Sequence, residues 1–236
     1  MAALAASADA ASISYGNLGP VPPGVSFLNI VESSGTDAVP LYGAPTAFAT
    51  GLSFFPTAAF SALGAAGGAD LTDGQLNYTV AAPGGVNQVD FSETGVYTLV
   101  GAGTAATQTL AGASLRAIVT EINGVPIAPV NLVPSLGSMI FNLASHGGVN
   151  QPWQIALSVN VAAQMAGLGY SPSDRATRVD VVIDNQLASV SEPGTQAMIS
   201  KTVFVGTTQG VPEPTGVALA GLALAGLAAV RSRRSA

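Results

Sequence analysis

The chain has 236 residues, of which 8% are charged and 48% hydrophobic, with a formal net charge of −6. That apolar content argues against simple disorder, and the acidic balance disfavours nucleic acid or anionic lipid as partners. No cysteine is present, which excludes disulfides, thiolate zinc sites and thiol nucleophiles.

The N-terminus reads MAALAASADAASISYG. Ala8-Asp9-Ala10 has the small-residue character of a signal-peptide cleavage site, and residues 1–6 that of the end of an apolar signal region. The first Lys or Arg is Arg116, so no basic segment precedes it. Residues 1–11 are therefore expected to be the remnant of a secretory signal, with a disordered Ala-rich terminus as the alternative. Residues 12–205 are long enough for one domain with a substantial core.

Within that body the patterning is that of strands. Candidates fall at residues 26–31, 75–80, 88–92, 96–100, 115–122, 153–161, 179–184 and 201–205. Leu76, Tyr78 and Val80 alternate with polar residues, and the longest period-two run is Trp153, Ile155, Leu157, Val159, Val161. Turn signals separate these segments: Pro83-Gly84-Gly85, Glu93-Thr94-Gly95, Asn123-Gly124, His146-Gly147-Gly148 and Glu192-Pro193-Gly194. Asn123-Gly124 has the form of a two-residue hairpin turn. Short helices are expected only at residues 58–66 and 161–168. The expected fold is all-β, an antiparallel β-sandwich of jelly-roll type.

Few residues in the body suggest chemistry. Asp70 and Asp73 lie near the turn-like Gly74 and make a weak calcium candidate, without the distal Glu of a full loop. His146, the single histidine, has no local partner for acid–base work and reads as a solvent-facing loop residue. Asp180 and Asp184 share a strand face about 13 Å apart, beyond the separation of a glycosidase pair. They read as solvated charges. Trp153 alternates with Ile155 and Leu157, which favours the core; exposed, it would be the first sugar-stacking candidate. No cofactor or other metal site is expected.

The C-terminus is different. Residues 206–210 read as a linker to VPEPTGVALAGLALAGLAAVRSRRSA. Pro212 and Pro214 hold the segment extended and outside any helix. Residues 215–230 carry no charge and would form a helix of about 24 Å against a hydrocarbon core of about 30 Å. Arg231, Arg233 and Arg234 follow, which would leave the tail cytoplasmic and the body outside.

Val211-Pro212-Glu213-Pro214, the Ala/Leu/Gly run and the terminal arginines together resemble the bacterial PEP-CTERM sorting signal. The resemblance covers residues 211–236. It implies a single C-terminal transmembrane helix and recognition by a membrane exosortase. It further implies processing near the Pro-Glu-Pro motif and delivery to the cell surface or to extracellular polysaccharide. The expectation is a non-enzymatic exported surface or matrix protein. A carbohydrate-binding module of the cell surface is the alternative, and a secreted hydrolase the remotest reading.

Overall fold

The structure, a computed structural model, describes residues 11–22 and 24–210. Residues 1–10 of the expected signal remnant, the motif Val211–Pro214, the expected helix 215–230 and Arg231, Arg233 and Arg234 lie outside the described residues. Among the described residues no helix is long and apolar enough to cross a membrane.

The elements run β1 (Ala11–Val21), β2 (Val25–Ser34), β3 (Thr46–Phe48), β4 (Gly51–Phe54), β5 (Ser61–Ala65), β6 (Ala69–Ala81) and β7 (Val86–Gly101). They continue as β8 (Gln108–Ile122), β9 (Val125–Asn131), β10 (Ser135–Asn142), α1 (Leu143–His146), β11 (Gly148–Asn160), α2 (Val161–Gly167), β12 (Ala176–Val190) and β13 (Thr195–Gly210). Two antiparallel sheets face each other. The seven-stranded sheet has the order β1-β2-β6-β12-β8-β10, with β9 paired to β8. The six-stranded sheet has the order β11-β7-β13-β4-β3, with β5 paired to β13. From β6 to β8, and again from β10 to β13, the chain alternates between sheets. Neighbours in a sheet are therefore distant in sequence.

Alternation explains the layers. On β12, Val179, Val181, Ile183, Asn185 and Leu187 point inward and are essentially inaccessible, while Asp180, Val182, Asp184 and Gln186 face out. Phe91 and Leu99 on β7 of the other sheet belong to the same buried core. At one end of the core Tyr42, Phe54, Phe60, Phe91 and Phe204 form a cluster of mostly edge-to-face rings. The Tyr42–Phe204 and Phe54–Phe204 centroids are 4.9 and 5.2 Å apart, a preferred arrangement for aromatic quadrupoles. Three charged residues share this interior: Glu32, Glu93 and Lys201.

Several expectations are revised. Glu93-Thr94-Gly95 is no turn; it lies in the middle of β7, paired with both β11 and β13. Gly95 leaves room for two neighbours: an added Cβ would stand 2.0 Å from the Ser200 carbonyl oxygen and 2.5 Å from Trp153 Cε2. Within residues 58–66 the structure has β5, whose residues 61–65 pair with 196–200 of β13, in place of a helix. Residues 206–210 are not a linker but the end of β13, opposite residues 86–91. His146 closes the one-turn helix α1, whose N-cap Asn142 accepts from the Ser145 N–H.

Candidate functional site

The residues singled out in the sequence do not converge. Asp70 and Asp73 are three apart on β6 and so point to opposite faces of the strand. Asp70 accepts from the N–H of Leu63 at 2.7 Å and of Leu71 at 3.0 Å. Asp73 Oδ1 accepts from the Gly35 and Thr36 N–H groups, both at 2.9 Å, and from the Thr36 and Ser34 hydroxyls. Each carboxylate ties down backbone, and the calcium pairing is set aside on that geometry. Burial pushes the Asp73 carboxyl up, but those hydrogen bonds outweigh it and hold the group below its usual range. Among the described residues no three His, Cys, Asp or Glu side chains gather as a metal site would require.

Trp153 is 4% exposed, and its Nε1 donates to the Ser200 carbonyl at 3.2 Å. Its faces are covered, so it offers no open platform for a sugar ring. His146 is exposed, with Nδ1 accepting from the Asn142 N–H at 3.3 Å. Asp180 sits on the outer face of β12, where the Thr79 hydroxyl donates to it at 2.6 Å.

The broadest surface feature is the outer face of the seven-stranded sheet. In register across β6, β12 and β8 lie Thr79, Asp180 and Ile118, then Asn77, Val182 and Arg116, then Gln75, Asp184 and Ser114. The next rows add β10: Asp73, Gln186, Gly112 and Ser138, then Leu71, Ala188, Leu110 and Ile140. The last row is an apolar strip across four strands, about 14 Å long at the usual strand spacing. Leu71 and Ile140 at its ends are 43% and 58% exposed, and Leu136 on the edge strand is 72% exposed. Beside the strip run amide, hydroxyl and carboxylate groups. Burial and the neighbouring Asp73 charge raise the Asp184 carboxyl above its usual range, while Arg116 opposes the shift.

A second concavity, an open cleft of about 580 Å³, lies at one end of the sandwich between the 81–83 turn, the Asn123-Gly124 hairpin and the loop at Ser173–Arg175. Its polar wall is internally bonded. Thr177 donates to Glu121 at 2.8 Å, Glu121 meets Arg178 at 3.8 Å, the Arg175 N–H donates to Asn123 Oδ1 at 3.0 Å, and the Asn123 N–H donates to the Arg175 carbonyl at 2.9 Å. These groups hold loops together and leave little to offer a ligand.

Sequence alternation marks which residues of β6, β8 and β12 face outward. It does not reveal that the three strands adjoin, because about 100 residues separate β6 from β12. The sheet face was therefore invisible as a site, although its members were individually legible.

No protein-family model matches the sequence, and neither does any curated protein. Among solved structures, the chain is similar to a carbohydrate-binding module in complex with β-1,4-galactotriose, at 8% identity over 66% of this chain and 68% of that one, TM-score 0.22. A carbohydrate-binding module specific for non-crystalline cellulose gives 11% identity over 59% and 66%, TM-score 0.25. The family 11 xylanase from Neocallimastix patriciarum gives 7% identity over 84% and 100%, TM-score 0.22. Likeness at this level carries no argument about ligand or chemistry.

Proposed function

We propose that the body is a non-catalytic glycan-binding module of an exported surface or matrix protein. The observation that supports it is the outer face of the seven-stranded sheet. There the apolar strip Leu71–Ala188–Leu110–Ile140 runs beside rows bearing Gln186, Gln75, Asp184 and Ser114. A sugar ring has an apolar C–H face and a rim of hydroxyls, so a chain laid along the strip meets both kinds of surface. Binding through aliphatic contact and neutral hydrogen bonds is weak per ring and gains from many rings on one polymer. The twelve acidic and four basic residues before position 211 give a formal charge of −8. That favours a neutral polysaccharide over an acidic one. The C-terminal sequence supports an outward address: Val211, Pro212, Glu213 and Pro214 would present the tail to an exosortase-type enzyme, with Arg231, Arg233 and Arg234 keeping the tail end inside.

The test is native affinity electrophoresis in gels containing neutral extracellular polysaccharide from the producing cells. The protein should be retarded, and Ile140→Asp and the Asp184→Ala/Gln186→Ala pair should each reduce retardation without lowering the urea-unfolding free energy by more than about 1 kcal/mol. Variants that migrate like the wild type in the presence of a retarding polysaccharide would remove this face as the site.

A further inference from the structure

Lys201 and Glu93 are both wholly buried, with Nζ and Oε2 in direct contact. Lys201 owes its position to a bulge in β13. The register shifts between Lys201 and Val203, so Lys201 and Phe204, which an ideal strand would send to opposite faces, both point inward. The Nζ lies 4.0 Å from the Phe60 ring centroid, 5.5 Å from Tyr42 and 5.6 Å from Phe204. On the facing sheet Asn185, 1% exposed, sets its Oδ1 2.5 Å from the same Nζ. A C=O bond is about 1.23 Å, so the carboxamide carbon stands at most about 3.7 Å from the amine, near attack distance. Tyr42 Oη lies 3.1 Å from Asn185 Oδ1 and 2.8 Å from the Gly74 carbonyl, and donates to one of them at a time. Glu93 Oε1 has no hydrogen-bond partner among the described residues.

A lone ion pair inside an aromatic cage is an expensive arrangement, since desolvation rivals the attraction between the charges. Moving one proton from Lys201 to Glu93 removes both charges. Burial pushes Glu93 up and Lys201 down, and their mutual attraction offsets only part of each shift. Such a transfer would place a free amine, shielded from water, against an amide carbon.

We propose that Lys201 and Asn185 join in an intramolecular isopeptide bond, formed by the folded protein itself with Glu93 as the proton-transfer group. The Glu93 carboxylate takes a proton from the Lys201 ammonium. The freed Nζ lone pair attacks Asn185 Cγ, and the charge that develops on Oδ1 is met by the Tyr42 hydroxyl. Glu93 then gives its proton to Nδ2 and takes one from Nζ. The Cγ–Nδ2 bond breaks with its electron pair leaving on nitrogen, ammonia departs, and the carbonyl re-forms. One C–N bond is made and one broken, no redox partner is needed, and Glu93 ends protonated. The product ties β12 of one sheet to β13 of the other, a covalent brace in a chain without cysteine.

The full chain, denatured and weighed intact, should be lighter than its sequence by one ammonia, about 17 Da for attack by an activated lysine. Trypsin should fail to cut after Lys201, and fragmentation should show a branched peptide linking residues 185 and 201. Asn185→Ala and Glu93→Gln should restore the full mass. Asn185→Asp should instead lose about the mass of one water in the same reaction. A wild-type mass equal to the sequence, or an ammonia loss with normal cleavage after Lys201 (an asparagine succinimide), would overturn the proposal. The wild-type measurement decides this even where a variant does not fold.

Discussion

Glu32 shows how one buried carboxylate organises the segment between β2 and β3. It is inaccessible to solvent and accepts from the N–H groups of Leu41 and Tyr42 and from the Tyr15 hydroxyl at 2.7 Å. Leu41 and Tyr42 are themselves buried, so removing the acceptor leaves two N–H groups without a partner or water. Glu32→Ala should cost about 2 to 6 kcal/mol in urea unfolding, at roughly 1 to 3 for each stranded donor. A loss below about 1 kcal/mol would mean that water reaches those groups. Asp73 makes a pH-dependent contribution. Its folded carboxyl lies below the usual range, so its stabilisation is present above the ordinary carboxylate pKa, about 3.9, and is lost as pH falls through the lower folded value. Asp73→Asn should therefore flatten the acid limb of the stability–pH curve below about pH 4 and destabilise the protein at neutral pH. An unchanged acid limb would contradict this.

At the scale of elements, the contact between β7 and β11 is the clearest case of a residue chosen by its neighbour. Trp153→Ala should cost about 3 to 5 kcal/mol by guanidinium unfolding, as for other buried aromatics. Gly95→Ala should also destabilise, because its Cβ would meet both the Ser200 carbonyl and the indole ring. In the double variant the Gly95 penalty should shrink but not vanish, since the indole is gone and the Ser200 carbonyl, 2.0 Å from that Cβ, remains. The same pair explains what the sequence could and could not reveal. Alternation of Trp153, Ile155 and Leu157 made β11 readable, and positive φ at Asn123 and Gly124, 51° and 78°, matches the hairpin those residues announce. Glu93-Thr94-Gly95 carries the same polar and glycine signature as a turn, yet its glycine makes room for Trp153 and its glutamate faces Lys201. Local composition cannot separate these causes, because the residues paired with Glu93 to Gly95 on both sides lie more than 50 residues away.

For the whole molecule, the sandwich architecture followed from many short alternating segments, whereas the functional surfaces arise from crossovers between the sheets. The polar rows and the Leu71–Ile140 strip form only when β6, β12, β8 and β10 lie side by side. The buried Lys201–Glu93–Asn185 group forms only when the two sheets close. The proposed address is a separate matter, read from the sequence of residues 211–236 alone. Intact mass of protein from the producing cells should show a released form truncated near Pro212–Pro214; full-length protein retained in membranes would make the tail a plain anchor. The central claim concerns the sheet face, and the most direct measurement is retardation of the full protein by neutral extracellular polysaccharide of its own cells. Retardation should persist in high salt, because exposed charges are screened over a few ångströms there while apolar and hydrogen-bonded contacts remain, and Ile140→Asp should reduce it. Unretarded migration in every such polysaccharide, with the fold intact, would contradict the claim.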